Sequence, residues 1–250
     1  MHILLTPLFA SGLMLLDEAA PSTIHAGRVH VERGFAPPRL VQDLRHDIDC
    51  LTTAGLFERA FSGGKSSGDD AFRNAEMCDP VGRDRSVGLW DAFYAVWERL
   101  DLVRQELSAA LGREMSTEME LHYVRYPVGG YYRRHVDEDL DANPRALTRA
   151  VSFICYLNKP GWCAADGGEL RSYPPGEPPS DVLPESGTLV VFDSARVEHE
   201  VQPTGKERLA LVGWFHAPAA DPGQADVFDE PASLPAAAED PLWEMCSHES

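Results

Sequence analysis

The chain has 250 residues, 44% of them hydrophobic and 25% charged, which suits one sizeable globular domain with tails. A formal net charge of -18 and a pI near 4.8 argue against nucleic acid and anionic membrane as partners, since both repel such a surface and no basic patch interrupts it. Five cysteines, Cys50, Cys78, Cys155, Cys163 and Cys246, form no CxxC pair and are odd in number, so a reducing, cytoplasmic setting is expected over a disulfide framework.

The opening "MHILLTPLFASGLMLL" is long enough for a secretory apolar region. It has no Lys or Arg before it and no small-x-small cleavage site, and Pro7 and Gly12 interrupt it, which leaves secretion as the lesser alternative. It is also too short and too interrupted for a membrane span. Next, "APPRLVQDLRHDIDCLTTAG" places Leu40, Leu44, Ile48 and Leu51 at helical spacing between a double proline and Gly55, predicting an amphipathic helix. A Gly/Ser/Asp-rich stretch from 62 to about 86 reads as a loop. Trp90, Phe93, Val96, Trp97, Leu100, Val103, Leu107 and Leu111 then predict a second helix ending at Gly112.

From Glu118 onward the pattern changes to short β-prone runs: "MELHYVRYP", "AVSFICYLN", "GTLVVFDS", "HEVQP" and "RLALVGWF", separated by Gly, Pro and Asn turns. Such a series predicts a sandwich or barrel. The end, from His216, is rich in Pro, Ala and acid, contains no Lys or Arg, and reads as a disordered tail.

The chemistry concentrates in "YPVGGYYRRHVDED". Side chains at i and i+2 of a strand share a face, so His135 and Asp137 can converge on one ion if a third ligand approaches from a neighbouring strand. His199, directly after the apolar run "GTLVVF", is the candidate. Two histidines and a carboxylate on one side of an ion make the facial triad of non-haem Fe(II) oxygenases, with the remaining positions open. An HxD string alone carries little weight: "RHDID", with His46, Asp47 and Asp49, lies in a helical pattern where i and i+2 diverge. Arg208 adds weight. It follows His199 by nine residues across a "PTGKE" turn, and a hairpin of that length would return its guanidinium beside the histidine strand, where an anionic cosubstrate would complement it.

Taken in order, "YPVGGYYRRHVD", "CYLN", "GGEL", "HEVQP" and "RLALVGWF" resemble the 2-oxoglutarate/Fe(II) dioxygenases of the prolyl 4-hydroxylase superfamily. The intracellular prolyl hydroxylases related to those acting on hypoxia-inducible factor, and their bacterial relatives, are the nearest branch. The resemblance is strong from about 118 to 216, loose from about 28 to 112, and absent from the first two dozen residues and the tail. It implies a jelly-roll (double-stranded β-helix) core supported by N-terminal helices, and a division into an extension at 1–24, a dioxygenase domain at 25–217 and a tail at 218–250.

Carried over by position, the resemblance makes His135, Asp137 and His199 the iron ligands and Arg208 the partner of the distal 2-oxoglutarate carboxylate. Tyr126, Tyr156 and Trp214 would line that pocket, although each also suits ordinary core packing, and Leu170 would cover the cosubstrate from one side. Arg149 and Asp84 match a pair that shapes the substrate entrance. Because halogenating relatives replace the ligand carboxylate with a small residue, Asp137 favours hydroxylation. The expected reaction uses Fe(II), 2-oxoglutarate and O2, with ascorbate as reductant, and releases succinate and CO2. Its expected substrate is a prolyl residue in a protein or peptide; a free amino acid or small molecule, and a non-catalytic 2-oxoglutarate or metal sensor, are the alternatives.

Overall fold

A single helical turn, α1 (Ala20–His25), precedes the two long helices in the computed structural model, which describes residues 14–60, 72–138 and 147–219. Leu16, Ala20 and Ile24 are buried in the main core, so residues 14–24 pack with the rest of the fold. The apolar stretch before residue 14 and the tail from residue 220 lie outside the described residues. Helix α2 (Pro38–Thr53) begins on a proline, whose missing N–H would have no partner in a first turn, and buries Val41, Leu44, Ile48 and Leu51 at helical spacing. Helix α3 (Trp90–Ala110) buries Phe93, Val96, Leu100, Val103 and Leu107 in the same way. Among the described residues no helix is long and apolar enough to cross a membrane.

Among the described residues, twelve strands make two antiparallel sheets. The first four are short: β1 (His30–Glu32), β2 (Glu58–Arg59), β3 (Arg73–Asn74) and β4 (Glu76–Cys78). The stretch from 62 to 86 is therefore not all loop: residues 61–71 lie outside the described residues, but β4 extends the larger sheet by pairing with β5 (Met119–Tyr126). The core strands follow as β6 (Tyr131–His135), β7 (Leu147–Tyr156), β8 (Leu170–Ser172), β9 (Ser180–Val182), β10 (Leu189–Asp193), β11 (His199–Val201) and β12 (Arg208–Pro218). The larger sheet runs β1-β10-β7-β12-β5-β4-β2 and the smaller runs β3-β6-β11-β8-β9.

This topology corrects one sequence expectation. His199 and Arg208 do not flank a hairpin: β11 pairs with β6 and β8 in the smaller sheet, whereas β12 pairs with β5 and β7 in the larger. Between them the chain crosses from sheet to sheet, fastened by Thr204 N to Gly130 O (3.0 Å) and by Gly129 N to Thr204 O (2.7 Å). Local spacing cannot distinguish such a crossing from a hairpin, because both are short and turn on Pro and Gly.

Alternation along the strands sorts their residues between two layers. Leu121, Tyr123, Phe153, Cys155, Leu209, Leu211 and Phe215 face the helices and join the main core. Ile154, Tyr156, Val190, Phe192 and Ala210 face the smaller sheet and pack with Leu170 and Val197. The functional side chains lie on that inner face, between the sheets.

Candidate active site

Three ligating side chains converge at one end of the space between the sheets. His135 closes β6 and stands opposite His199, the first residue of β11. Asp137 lies just beyond the strand, in a bend held by two main-chain bonds, Asp137 N and Glu138 N both donating to Ser194 O at 3.0 Å. The bend, not strand alternation, therefore sets its approach. One donor atom from each of the three lies within 4.8 Å of the others, the one such group among the described residues. His135 Nε2 is 3.4 Å from Asp137 Oδ1, and His199 Nε2 is 3.8 Å from Asp137 Oδ2.

The surroundings prepare these atoms for a cation. His135 Nδ1 lies 2.6 Å from Arg133 O and His199 Nδ1 lies 3.0 Å from Val197 O, geometries that place the ring proton on Nδ1 and leave the Nε2 lone pair facing the aspartate. Burial pushes the His199 imidazole down to about 4, against the pull of Asp137, so it is neutral at pH 7 and free to ligate. Burial alone would raise the Asp137 carboxyl, but the two imidazoles and the Ser152 hydroxyl outweigh it and hold the group well below the usual carboxylate range. Ser152 Oγ donates to Asp137 Oδ2 at 2.7 Å and lies 2.8 Å from Ser194 Oγ. Tyr132 stacks on the His135 ring, centroids 3.7 Å apart. A bulge allows this: between the pairs His135–His199 and Tyr132–Val201, two residues of β6 (Arg133 and Arg134) oppose one of β11 (Glu200), which turns Tyr132 to the same face as His135.

Arg208 begins β12 opposite Tyr126 and is 1% exposed, a charge the fold has withdrawn from water. Its Nε donates to Gly168 O at 2.9 Å, and its guanidinium carbon lies 5.0 Å and 5.1 Å from the ring centres of Tyr126 and Tyr156. Neither Arg208 Nη2 nor the Tyr156 hydroxyl has a hydrogen-bond partner, although both are buried. Two orphaned donors beside one another, one of them cationic, are what a carboxylate would satisfy. Gly168, at φ +75°, leaves the room: a Cβ there would stand 3.2 Å from Arg208 Cδ and 3.0 Å from Thr204 Oγ1. Burial drives the Tyr156 phenol up to about 12, opposed by Arg208, so it remains a donor. Leu170 is fully buried in the cluster that holds Tyr156. The donor set fits Fe(II), and the Arg208 end fits one carboxylate of a dicarboxylic cosubstrate.

The remaining sequence candidates separate. Trp214 faces inward opposite Ser152, with its indole N–H buried and unpartnered. Arg149 lies over it, guanidinium carbon 3.6 Å from the ring centre, and pairs with Glu120. Asp84 is elsewhere, in an exposed turn, accepting 2.8 Å and 2.7 Å bonds from Ser86 N and Oγ; among the described residues no ion pair or hydrogen bond joins it to Arg149. The partner of Arg149 in the structure is Glu120. Sequence reasoning missed Ser152, Ser194, Tyr132 and Glu120. Ser152 alone left a signal, as the one polar residue within "AVSFICY".

Comparison with known proteins decides the family. Residues 121–216 match the family model of the 2OG-Fe(II) oxygenase superfamily. A solved prolyl-4-hydroxylase from Pseudomonas putida aligns at 30% identity and TM-score 0.66, covering 80% of this chain and 98% of that one. The chain belongs to the 2OG-Fe(II) oxygenase superfamily. Egl nine homolog 1 of Homo sapiens is 40% identical over 93 residues, which are 36% of this chain and 21% of that protein, so the match spans about a fifth of the relative's length. The Trichoplax adhaerens prolyl hydroxylase, solved with a hypoxia-inducible-factor peptide, shares the fold at TM-score 0.67 and 23% identity, covering 78% of this chain and 86% of that one. The three converged side chains could hold the iron of this family, and the Arg208 pocket could take a carboxylate of 2-oxoglutarate. The fold is the jelly roll the sequence implies.

Proposed function

We propose that this oxygenase hydroxylates a prolyl residue in a protein or peptide, consuming 2-oxoglutarate and O2 and releasing succinate and CO2. The observation that carries the cosubstrate is the buried Arg208, with Nη2 unpartnered beside the unpartnered Tyr156 hydroxyl. The prolyl target is supported by the Pseudomonas putida prolyl-4-hydroxylase, which this chain matches over nearly its whole length.

Fe(II), held by His135, Asp137 and His199, would supply with O2 and 2-oxoglutarate the oxidising power that converts C–H into C–OH. The chain supplies the arrangement. Main-chain carbonyls of Arg133 and Val197 fix both imidazoles with Nε2 inward, and Ser152 fixes one oxygen of Asp137. Arg208 and Tyr156 would hold the distal carboxylate and so fix the orientation of the cosubstrate. Phe192, 4.7 Å from the His199 ring centre, together with Leu170 and Ile154, keeps that face apolar and excludes water. A cytoplasmic setting and ascorbate as reductant belong to the same proposal; the four described cysteines, none in a disulfide, support the former.

The test incubates the chain with Fe(II), ascorbate, 2-oxoglutarate and proline-containing peptides, and follows succinate together with peptide mass. The expected result is a peptide gain of about 16 Da, one oxygen atom, stoichiometric with succinate and lost in His135→Ala. Oxidation of free amino acids with no change in any peptide would overturn the prolyl-peptide target.

A further inference from the structure

The side chain that holds the iron carboxylate's main chain is itself held by a residue with no assigned role. Arg149 stands on the inner face only because β7 carries one extra residue there: Val151 pairs with Phe215, but Arg149, not Ala150, pairs with His216. Without that bulge Arg149 would share the outer face with Val151 and Phe153. Turned inward, it makes contacts in three directions. Its Nη1 donates to the Asp137 carbonyl at 3.3 Å, and its main-chain N donates to the buried Glu138 carboxylate at 2.8 Å. Its plane lies on Trp214 at 3.6 Å. Its Nε and Nη2 form a fork with both oxygens of Glu120, at 3.0 Å and 2.5 Å.

Glu120 is built into that position. It pairs directly with Trp214 across β5 and β12. His122 lies 3.4 Å from one of its oxygens and His216 lies 3.6 Å from the other. Burial would raise its carboxyl, but the two imidazoles and Arg149 outweigh it, leaving the group well below the usual carboxylate range and ionised.

We propose that Glu120 is a positioning residue for the metal centre: by engaging two nitrogens of Arg149 it aims the third at the Asp137 carbonyl and so fixes the Asp137–Glu138 bend that presents the ligand carboxylate. The inference rests on the assignment of His135, Asp137 and His199 as metal ligands. A free Arg149 side chain would sample rotamers over Trp214, and the Asp137 carbonyl would lose its guanidinium partner, leaving the bend to Ser194 O, Ser152 and the Arg149 main-chain N–H. The guanidinium is thereby committed to the metal bend before any substrate arrives.

The test titrates the metal-free, full-length chain with Mn(II) alone, followed by tryptophan fluorescence, in the parent, Glu120→Ala, Glu120→Gln, Arg149→Ala and the double variant Glu120→Ala/Arg149→Ala, with His135→Ala as reference. Loss of an outer-shell partner weakens metal affinity by roughly 10- to 100-fold, and that is the loss expected for Glu120→Ala, with Glu120→Gln in between and the melting temperature little changed. Because Glu120 acts through Arg149, the double variant should be no weaker than Arg149→Ala. Mn(II) affinity within twofold of parent in Glu120→Ala and Glu120→Gln overturns the proposal, as do additive losses in the double variant. Should Glu120→Ala not fold, Glu120→Gln carries the same comparison. A parent that fails to bind Mn(II), or binds it no better than His135→Ala, overturns the metal-ligand assignment and this proposal together; parental binding with unchanged Glu120 variants overturns this proposal alone.

Discussion

Arg208 is where a single side chain carries the most information. A guanidinium 1% exposed, with one nitrogen unpartnered, is a standing electrostatic cost in the ligand-free chain. That cost is removed when a carboxylate arrives, so the same charge that burdens the empty fold supplies specificity for an anion. Removing one partner of such a buried pair costs on the order of 3–5 kcal/mol, roughly a hundredfold to a few thousandfold in affinity. Arg208→Ala should therefore raise the 2-oxoglutarate concentration needed for half-maximal succinate formation by that factor while iron binding survives. Arg208→Lys should do less damage, since it keeps the charge and loses the planar fork. An apparent affinity within a few-fold of parent in Arg208→Ala would exclude the cosubstrate assignment. The sequence singled out Arg208 but gave the wrong reason for its placement, since β11 and β12 belong to different sheets.

Between elements, the decisive contact lies far from the triad, where α2, the loop before α3 and β5 meet. Asp47 of α2 is fully buried and accepts from Arg83 Nη1 at 2.7 Å and 2.8 Å, from Leu89 N at 2.5 Å and from the Tyr123 hydroxyl at 2.8 Å. Arg83 in turn lies over Trp90, 4.3 Å from its ring centre. Asp47 of the "RHDID" string thus serves as a structural lock. Gly88 makes the lock possible: its φ is +83°, and a Cβ there would fall 2.2 Å from Asp47 Oδ1 and 2.6 Å from Arg83 Nη1. Asp47→Ala should strand a buried Arg83 and cost about 3–5 kcal/mol, read as a lowered urea midpoint. Gly88→Ala should lower the same midpoint through strain. A midpoint unchanged in Asp47→Ala would show that the ion pair does not hold these elements together. Helical spacing made α2 and α3 legible, whereas the lock between them was not, because nothing local marks which aspartate of a helix will be buried.

For the molecule as a whole, the core on the helix side and the apolar cluster between the sheets are both complete without a cofactor. The metal-free chain should therefore remain folded, and a ligand that binds only the native state should add to its stability by mass action. At about a hundredfold excess over its dissociation constant that addition is about 2.7 kcal/mol, which for a chain of this size is a rise of roughly 5–10 °C in melting temperature. Calorimetry of the chelator-treated chain, before and after Mn(II) and 2-oxoglutarate, checks this. A chain that is unfolded after chelation would make the metal structural, and the loss of activity in ligand variants could then no longer be read as chemistry.

The sequence by itself determined the two long helices and the main core strands, and it singled out the three side chains that converge and the buried Arg208, because periodicity and the demand of an ion or a carboxylate for particular donors are written locally. Tertiary structure alone decided the rest. Two bulges, in β6 and β7, turn Tyr132 and Arg149 to the inner face, and a one-residue change of register leaves no mark in composition. Asp137 reaches the histidines through a bend tied to Ser194, 57 residues away in the chain, and Arg149 finds Glu120 rather than Asp84 because β5, β12 and β7 lie side by side. Which groups a strand's neighbours place beside it is a property of the sheet's order, and that order is set by long-range packing of the apolar faces that no short window of residues contains.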